Sequence, residues 1–370
     1  MVLPYFNLYC YHLKFSGFQI GVLSALRALV MVVFPMAWGA LADRTGGRRP
    51  IFIGCAAMSA GIWGLFLLTE DFPAMAGIVL AHGVFYSPLI SFLETLTMER
   101  LGRDKESYGR IRVWGSVSFI AVVLMFGRLI QAFSVRILIV SVWIVSLVQA
   151  LTGTGIPAAH PGERTALARD AKGLLSKRMV LFLFCAFLML VSHGTYYGFF
   201  SIHLETQGHS SAFIGLCWAL ASTAEILVMV RSRSLFQRFS LERVITASFA
   251  AASIRWLLLG AVTSPALILL SQVLHAMSYG TFHMASILMV DRLSPEGAKT
   301  LGQAINNALT YGLGLMTGFV VNGYLYGRVP ESRLFFMSGV AAFAGGLLFT
   351  VLDGFIRRGA RGDEVPMRHP

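Results

Sequence analysis

The sequence is short of charge and of cysteine. Charged residues make up 13% of the 370 residues, whereas hydrophobic residues make up 56% and the mean hydropathy is +0.69. Soluble globular domains carry about 25% charged residues, so this composition excludes them and indicates a polytopic membrane protein. The four cysteines are scattered through apolar runs without CxxC or metal-ligand spacing, so they predict neither a disulfide framework nor a metal centre.

The motifs of common enzymes are also missing. The sequence contains no HExxH, no phosphate-binding glycine loop and no recognisable Ser/His/Asp arrangement. We therefore expect that the protein is not an enzyme and that it uses no cofactor and no metal. The alternative is a site assembled from distant helices, which a motif search does not detect.

The positive charge lies between the apolar runs. Of the 30 Lys and Arg residues, 22 fall in 43–49, 100–110, 157–178, 231–243, 291–300 and the tail from Arg357. Basic residues in alternating loops follow the positive-inside rule of membrane proteins. The net charge of +12 is thereby explained without nucleic acid. We expect a bacterial inner (plasma) membrane protein with both termini in the cytoplasm.

Eleven apolar segments are long enough to cross a bilayer, which takes about 20 helical residues. They are 18–42, 49–69, 74–99, 110–130, 134–156, 179–202, 211–231, 243–262, 265–291, 301–325 and 332–356. The stretch YCYHLKFSGFQIG from Tyr9 is echoed by FSIHLETQGHSSAFIG from Phe200, which indicates an internal repeat. The repeat predicts twelve helices with the first one truncated in this chain; a genuine half-helix, the alternative, would end in lipid.

The predicted fold class is an all-α membrane protein with two six-helix bundles. The expected domains are an N-terminal bundle at 1–156, a cytoplasmic linker at 157–178, a C-terminal bundle at 179–356 and a cytoplasmic tail at 357–370. The linker is basic and partly amphipathic, so it is either a solvated connection or a segment lying on the membrane surface.

The loop GALADRTGGRRP, from Gly39 to Pro50, resembles the signature loop G-x-x-x-D-R-x-G-R-R of the major facilitator superfamily. The resemblance implies the major facilitator fold, with alternating access to a midplane cavity. The predicted gating loop consists of Gly39, Asp43, Arg44, Gly46, Arg48 and Arg49. Glycine at 39 is expected to permit close helix approach, and Asp43 to cap a helix or to pair with a cation. The second copy of the loop has Gln237 in place of Asp43.

Two charged residues lie inside the spans that flank the next basic loop. Glu94 and Arg112 are each nine residues from Arg103, at the centre of the predicted turn, so a helical hairpin sets them opposite one another. The alternative is that both side chains snorkel to the interface. The segment YGRIRVWGSVSF resembles the lactose permease and 3-phenylpropionate permease families, which implies that this pair binds substrate.

The C-terminal half places more ionisable groups within spans. They are Glu225 in ALASTAEILVMV, Arg255 in AASIRWLLLG, and His275 and His283 in QVLHAMSYGTFH. Such groups are costly in a bilayer and predict a substrate- and proton-binding network. Glu225, Arg255 and His275 also resemble the lactose permease site. Ser278 departs from it, because that family has its proton-releasing carboxylate there. Glu225 with either histidine is therefore the expected proton-coupling pair, and uncoupled diffusion stays open.

Nearly the whole chain resembles the 3-phenylpropionic acid transporter family, through HGTYYGF, AEILVM, IRW, QVLHAMSYGTFH and YGRIRVWGS. This resemblance implies a secondary active transporter for an aromatic carboxylate such as 3-phenylpropionate, with proton symport. The alternatives are a nucleoside or sugar permease, or a non-transporting membrane sensor on the same fold. The expected partners are a small-molecule substrate, a proton and membrane lipid, without nucleic acid, and we expect a monomer.

For an aromatic acid, Arg255 or Arg112 is the expected partner of the carboxylate. Tyr196 and Trp256 are among the aromatic residues expected either to stack on the ring or to serve as ordinary packing. A further cation, Arg27, lies in the span from 18 to 42. It is expected to pair with Glu94 or with a substrate anion, or to snorkel outward.

Overall fold

The computed structural model describes residues 2–102, 108–156, 174 and 176–362. Within these ranges, ten helices are long and apolar enough to cross a membrane, and an eleventh apolar helix, Ile137–Gly153, is shorter. These helices coincide with the eleven apolar segments of the sequence. The prediction of an all-α membrane protein is therefore confirmed.

The described residues form sixteen α-helices. The first eight are α1 (Val2–His12), α2 (Gly17–Thr45), α3 (Arg48–Gly64), α4 (Phe72–Tyr86), α5 (Pro88–Leu101), α6 (Tyr108–Ala132), α7 (Ile137–Gly153) and α8 (Lys177–Thr206). The others are α9 (Ser211–Val230), α10 (Ser232–Arg238), α11 (Leu241–Ala261), α12 (Pro265–Val273), α13 (Phe282–Leu293), α14 (Lys299–Asn306), α15 (Leu315–Leu325) and α16 (Glu331–Gly362).

Polar residues in the loops set several helix starts. Ser16 caps α2 in a capping box with Gln19, and the side chains of Asp71 and Ser240 accept hydrogen bonds from the first turns of α4 and α11. Each cap satisfies a backbone N–H that has no partner within its helix. The helix starts can therefore be read from the sequence by local chemistry alone.

The predicted span 74–99 is divided into α4 and α5. Pro88 has no N–H to donate to the carbonyl of Val84, four residues earlier, so the helix breaks at this point. The indole Nε1 of Trp38 on α2 donates to that carbonyl at 2.8 Å. The proline break is thus compensated by a side chain from a neighbouring helix.

Two spans contain π-helical segments. Ala276–Thr281 lies between α12 and α13, and Asn307–Gly314 lies between α14 and α15. Segments with this i→i+5 pattern are rare and occur frequently at functional sites. Both lie in the part of the sequence where the apolar pattern alone predicts uninterrupted helices.

By contact density, the chain falls into two compact units. One comprises Met1–Ala166, Gly194–Ala219 and Phe319–Glu331, and the other comprises Leu167–His193, Leu220–Gly318 and Ser332–Pro370. The unit boundaries pass through α8, α9 and α15. The bundle boundaries expected from the sequence stay a prediction.

In the first unit, α2 packs directly on the backbone of α15. A Cβ atom added to Gly21 would lie 2.5 Å from the carbonyl oxygen of Phe319 and 2.9 Å from the Cα of Gly323. Near the same ends, His12 Nε2 lies 2.6 Å from a Glu205 carboxylate oxygen. Small residues at a helix crossing permit this approach, since lipid tails provide little hydrophobic drive for association.

In the second unit, an ion-pair network joins four helix ends. Arg178 of α8 donates to Asp353 of α16 at 2.5 Å and to Glu242 of α11 at 2.7 Å. Arg292 of α13 donates to the same Glu242 oxygen at 2.9 Å. The Asp353 side chain is buried, so the bidentate geometry of arginine offsets the cost of removing its charge from water.

We expect Gly21→Ala to lower the melting temperature of the purified protein by several degrees. The added methyl collides with backbone atoms, and overpacking of this kind costs about 1–3 kcal/mol. Thermal unfolding in detergent measures the effect. Gly54→Ala in α3 is the matched control, because an added Cβ there meets nothing within 4 Å. Equal melting temperatures for the two variants would contradict the packing described.

Candidate functional site

The predicted gating loop forms a compact turn between α2 and α3. Asp43 accepts a hydrogen bond from Arg48 at 2.8 Å, and Gly46 ends α2 with φ of 68°. Positive φ is accessible to glycine at little cost, which explains this position. Arg49 donates its Nε to the carbonyl of Ile156 at 2.5 Å, just beyond the end of α7. The loop therefore ties three helices together.

Two other residues of the gating loop make no such contact. Arg44 is exposed in the last turn of α2. An added Cβ at Gly39 would meet nothing within 4 Å. Close helix approach at Gly39 stays a prediction.

Glu94 and Arg112 face each other across the α5–α6 hairpin. Arg112 Nε lies 3.8 Å from Glu94 Oε1, and the side chains of Arg112 and Glu94 are 57% and 47% exposed. The separation is at the outer limit of an ion pair, and the exposure leaves both groups open to their surroundings. The structure thus brings these two residues together as a weak, accessible pair.

Arg255 is the most tightly held of the predicted site residues. It is 0% exposed, and its Nε donates to the carbonyl of Ser271 at 3.1 Å. Its Nη1 lies 2.9 Å from His275 Nδ1, and its Nη2 donates to Gln272 Oε1 at 3.0 Å. The guanidinium also lies over the Trp256 ring, with Cζ 4.6 Å from the centroid. A guanidinium so enclosed cannot reach a substrate carboxylate without rearrangement.

The contact with Arg255 fixes the tautomer of His275. Arginine is always a donor, so His275 Nδ1 accepts and its ring proton lies on Nε2. Nε2 is 3.7 Å from Glu225 Oε2, so the N–H faces the carboxylate. Arg255, His275 and Glu225 therefore form one chain, in which the protonation of Glu225 affects the histidine directly.

Glu225 is the accessible end of that chain. Its side chain is 21% exposed, whereas His275 is buried. A Cβ added to Gly280, in the first π segment, would lie 3.1 Å from Glu225 Cγ. Glycine at this position therefore lets the carboxylate approach α12 and α13 closely. Ser278 is buried nearby in the sequence and has no carboxyl group to carry a proton.

His283 belongs to an aromatic ladder instead of pairing with Glu225. The rings of His275 and Tyr279 are stacked at 5.2 Å, and those of Tyr279 and His283 at 6.0 Å. His283 Nδ1 hydrogen-bonds to the Tyr311 hydroxyl at 2.6 Å. Of the two histidines expected to partner Glu225, the structure brings only His275 to it within the described residues.

Gln272, Tyr279 and Tyr311 also belong to this cluster, although they were not predicted from the sequence. Gln272 Nε2 donates to the Ile268 carbonyl at 3.1 Å, which leaves its Oε1 to face Arg255. The spacing of four residues from His275 to Tyr279 and on to His283 does predict one helix face. The second π segment, which contains Tyr311, has no comparable signal in the sequence.

The other aromatic residues considered for ring stacking are packing residues. Tyr196 is fully buried, with its ring 4.6 Å from that of Trp218. Trp256 is also fully buried, and its Nε1 donates to Ser192 at 3.2 Å. Of the two alternatives left open by the sequence, ordinary packing is the one that this conformation shows for both rings.

Comparison with known proteins identifies the family. The model of the MFS_1 like family matches residues 1–337. The chain belongs to this family. It is therefore a secondary transporter of the major facilitator superfamily, an integral membrane protein and not an enzyme.

Individual relatives differ in what their names say they carry. The chain is 25% identical over 270 residues to the "Probable 3-phenylpropionic acid transporter" of Escherichia coli (strain K12), covering 71% of this chain and 70% of the relative. It is 25% identical over 346 residues to the "Maltose permease" of Geobacillus stearothermophilus, covering 92% and 86%. The solved nucleoside transporter NupG superposes with a TM-score of 0.84 at 17% identity, covering 94% of each chain.

We expect Arg255→Lys to lower the melting temperature and to impair transport. A single ammonium group cannot reach three acceptors on adjacent residues, and each buried acceptor left without a donor costs about 1–3 kcal/mol. Thermal unfolding and proteoliposome uptake measure the two effects. Arg333→Lys, at an exposed position of α16, is the control. If Arg255→Lys had the melting temperature and the uptake of the wild type, the proposed role of the three guanidinium hydrogen bonds would be wrong.

Proposed function

We propose that the protein carries an aromatic monocarboxylate such as 3-phenylpropionate, together with protons, across the bacterial inner membrane by alternating access. Both termini would then lie in the cytoplasm. The observation that carries this proposal is the chain Arg255–His275–Glu225 beside the stacked rings of Tyr279 and His283. It combines a proton-binding group and a ring-binding surface within one unit of the protein.

The aromatic ladder is the observation that supports a substrate with an aromatic ring. Tyr279 and His283 are only partly buried, and Tyr311 lies edge-on to both at centroid distances of 6.4 and 5.3 Å. A planar ring gains offset-stacking or edge-to-face contacts on such a surface, worth about 0.5–1.5 kcal/mol beyond the area buried. A sugar, which has no planar π-face, gains less from it.

Glu225 is the observation that supports proton coupling. It is a carboxylate within a span, and within the described residues its one ion-pair partner is His275 at 3.7 Å. Protonation removes the charge that makes a carboxylate costly in this setting. It also removes the attraction to the His275 N–H. Proton binding is therefore able to bias the equilibrium between two conformations that differ in this contact.

Nucleoside or sugar transport is the second candidate. The solved nucleoside transporter and the maltose permease are similar over almost the whole chain. A nucleoside would also use the aromatic ladder, because a nucleobase is planar.

The direct test is uptake by the purified protein in proteoliposomes. Radiolabelled 3-phenylpropionate, uridine and maltose are offered separately, with and without an inward proton gradient. We expect accumulation of 3-phenylpropionate only with the gradient. Accumulation of uridine or maltose instead would replace the proposed substrate, and absence of flux of all three solutes with folded protein would contradict both candidate substrate classes.

We expect Glu225→Gln to abolish gradient-driven uptake and to spare exchange of labelled for unlabelled substrate. The amide keeps the shape of the side chain but cannot gain or lose a proton. Glu296→Gln is the matched control, since the Glu296 side chain is 91% exposed. Equal loss of uptake and exchange in Glu225→Gln would show that the carboxylate serves substrate binding rather than proton coupling.

A further inference from the structure

Among the arginines within the described spans, Arg27, Arg112 and Arg255 are the candidates for binding a substrate anion. Arg255 is enclosed by Ser271, Gln272 and His275. Arg112 already has a carboxylate beside it, that of Glu94, which a substrate anion would have to displace. Arg27 differs from both, and its surroundings decide what it can bind.

Arg27 lies deep in its span. It is eleven residues beyond the cap Ser16 in the 29-residue helix α2, or about 16 Å along the helix axis from its start. The other end of α2, at Thr45, is farther away. Arginines that snorkel to lipid headgroups lie near helix ends. The position of Arg27 therefore argues against a headgroup phosphate as its partner.

The side chains near Arg27 carry no negative charge. Its electrostatic neighbours are Cys10 of α1 and the ring side chains of His82 and Tyr86 of α4. Within the described residues, Arg27 has no hydrogen bond and no carboxylate within ion-pair distance. A guanidinium in a span without a counter-charge is costly, so its retention calls for an anion from outside the chain.

The two rings on α4 are held in a fixed arrangement. His82 stacks on Tyr86 with centroids 5.0 Å apart and planes 20° apart, and Trp63 lies edge-on to His82 at 5.0 Å. One turn beyond Arg27, Val30 packs so closely on α4 that a Cβ added to Gly83 would lie 2.2 Å from it. The α2–α4 contact thus keeps the cation and the two rings together.

The side chains of the cluster are not fully enclosed by the protein. Arg27 is half-buried and Tyr86 is 36% exposed, unlike the enclosed Arg255. The guanidinium offers a planar fork of donors, the Tyr86 hydroxyl a further donor, and His82 a ring N–H in either tautomer. This donor set fits the two oxygens of one carboxylate. A phosphate dianion would require a second cation, and the described cluster contains only one.

We propose that Arg27, His82 and Tyr86, which all belong to the first unit, form a site that binds the carboxylate of an aromatic acid. In naming a carboxylate, this inference rests on the proposed function. Arg255 then acts as a positioning residue for His275, and Arg27 supplies the charge that distinguishes an acid from a neutral solute of the same shape.

The test compares an acid with its neutral counterpart. Binding of 3-phenylpropionate and of 3-phenylpropanol to the full purified chain is measured in detergent by isothermal titration calorimetry. We expect Arg27→Gln to weaken binding of the acid about tenfold or more, since a charge-assisted hydrogen bond is lost. Binding of the alcohol should change less than about twofold. Arg128→Gln, on an exposed position of α6, is the control and should change neither.

An unchanged ratio of acid to alcohol affinity in folded Arg27→Gln would overturn the inference. If that variant is not monodisperse, Arg27→Lys and Tyr86→Phe take its place. Each should weaken binding of the acid several-fold and leave binding of the alcohol unchanged, because each removes a hydrogen-bond donor while keeping the shape of the cluster. An unchanged ratio in both would overturn the inference as well.

The failure of the proposed function would look different. If the unmodified protein binds uridine or maltose and not 3-phenylpropionate, the proposed substrate class is wrong, and the carboxylate site is wrong with it. That result is seen before any substitution is made. Loss of the acid preference only in the Arg27 and Tyr86 variants, in contrast, supports both the substrate class and the site.

Discussion

The structure depends on how each ionisable group within a span is satisfied. Water is absent from the hydrocarbon, so a charge there requires a partner within the protein or a solute. Arg255 is the extreme case, because it is wholly buried and its three donor nitrogens meet acceptors from Ser271, Gln272 and His275. The tautomer of His275 and the direction of its N–H toward Glu225 both follow from this arrangement. One buried cation thus determines the geometry at the proposed proton site.

Close backbone approach determines where these side chains can meet. Glu225 reaches His275 past Gly280, where any side chain would press on its Cγ atom. The same principle operates at the α2–α15 crossing through Gly21, and at the α2–α4 contact through Gly83. Polar chemistry within the spans therefore relies on small residues that let the helices come together. The site keeps its geometry only if the polar side chains and the small residues beside them are both present.

Much of the fold could be predicted from the sequence, because the length and apolarity of a span follow directly from bilayer thickness. The geometry of a helical hairpin also predicted that Glu94 lies opposite Arg112. In the structure, Arg112 Nε is 3.8 Å from Glu94 Oε1. Hydropathy does not report helix rotation or burial between helices, however. For that reason Arg255 was kept beside Arg112 as an expected partner of a substrate carboxylate, although the structure encloses Arg255 within the protein. The π segments were missed because they change hydrogen-bond register without changing composition.

Several charged contacts within the spans differ in both length and burial. Arg178 meets buried Asp353 at 2.5 Å, and the Arg255 contacts are also short and shielded. Glu225–His275 at 3.7 Å and Glu94–Arg112 at 3.8 Å are long, and each includes a partly exposed carboxylate. Breaking a short buried pair leaves an uncompensated charge, whereas a long accessible pair can exchange its partner for a solute or a proton at small cost. A transporter must return to its starting state after every cycle. The long, accessible pairs are therefore the ones suited to change partners. The short, buried pairs hold the helices in place during that change.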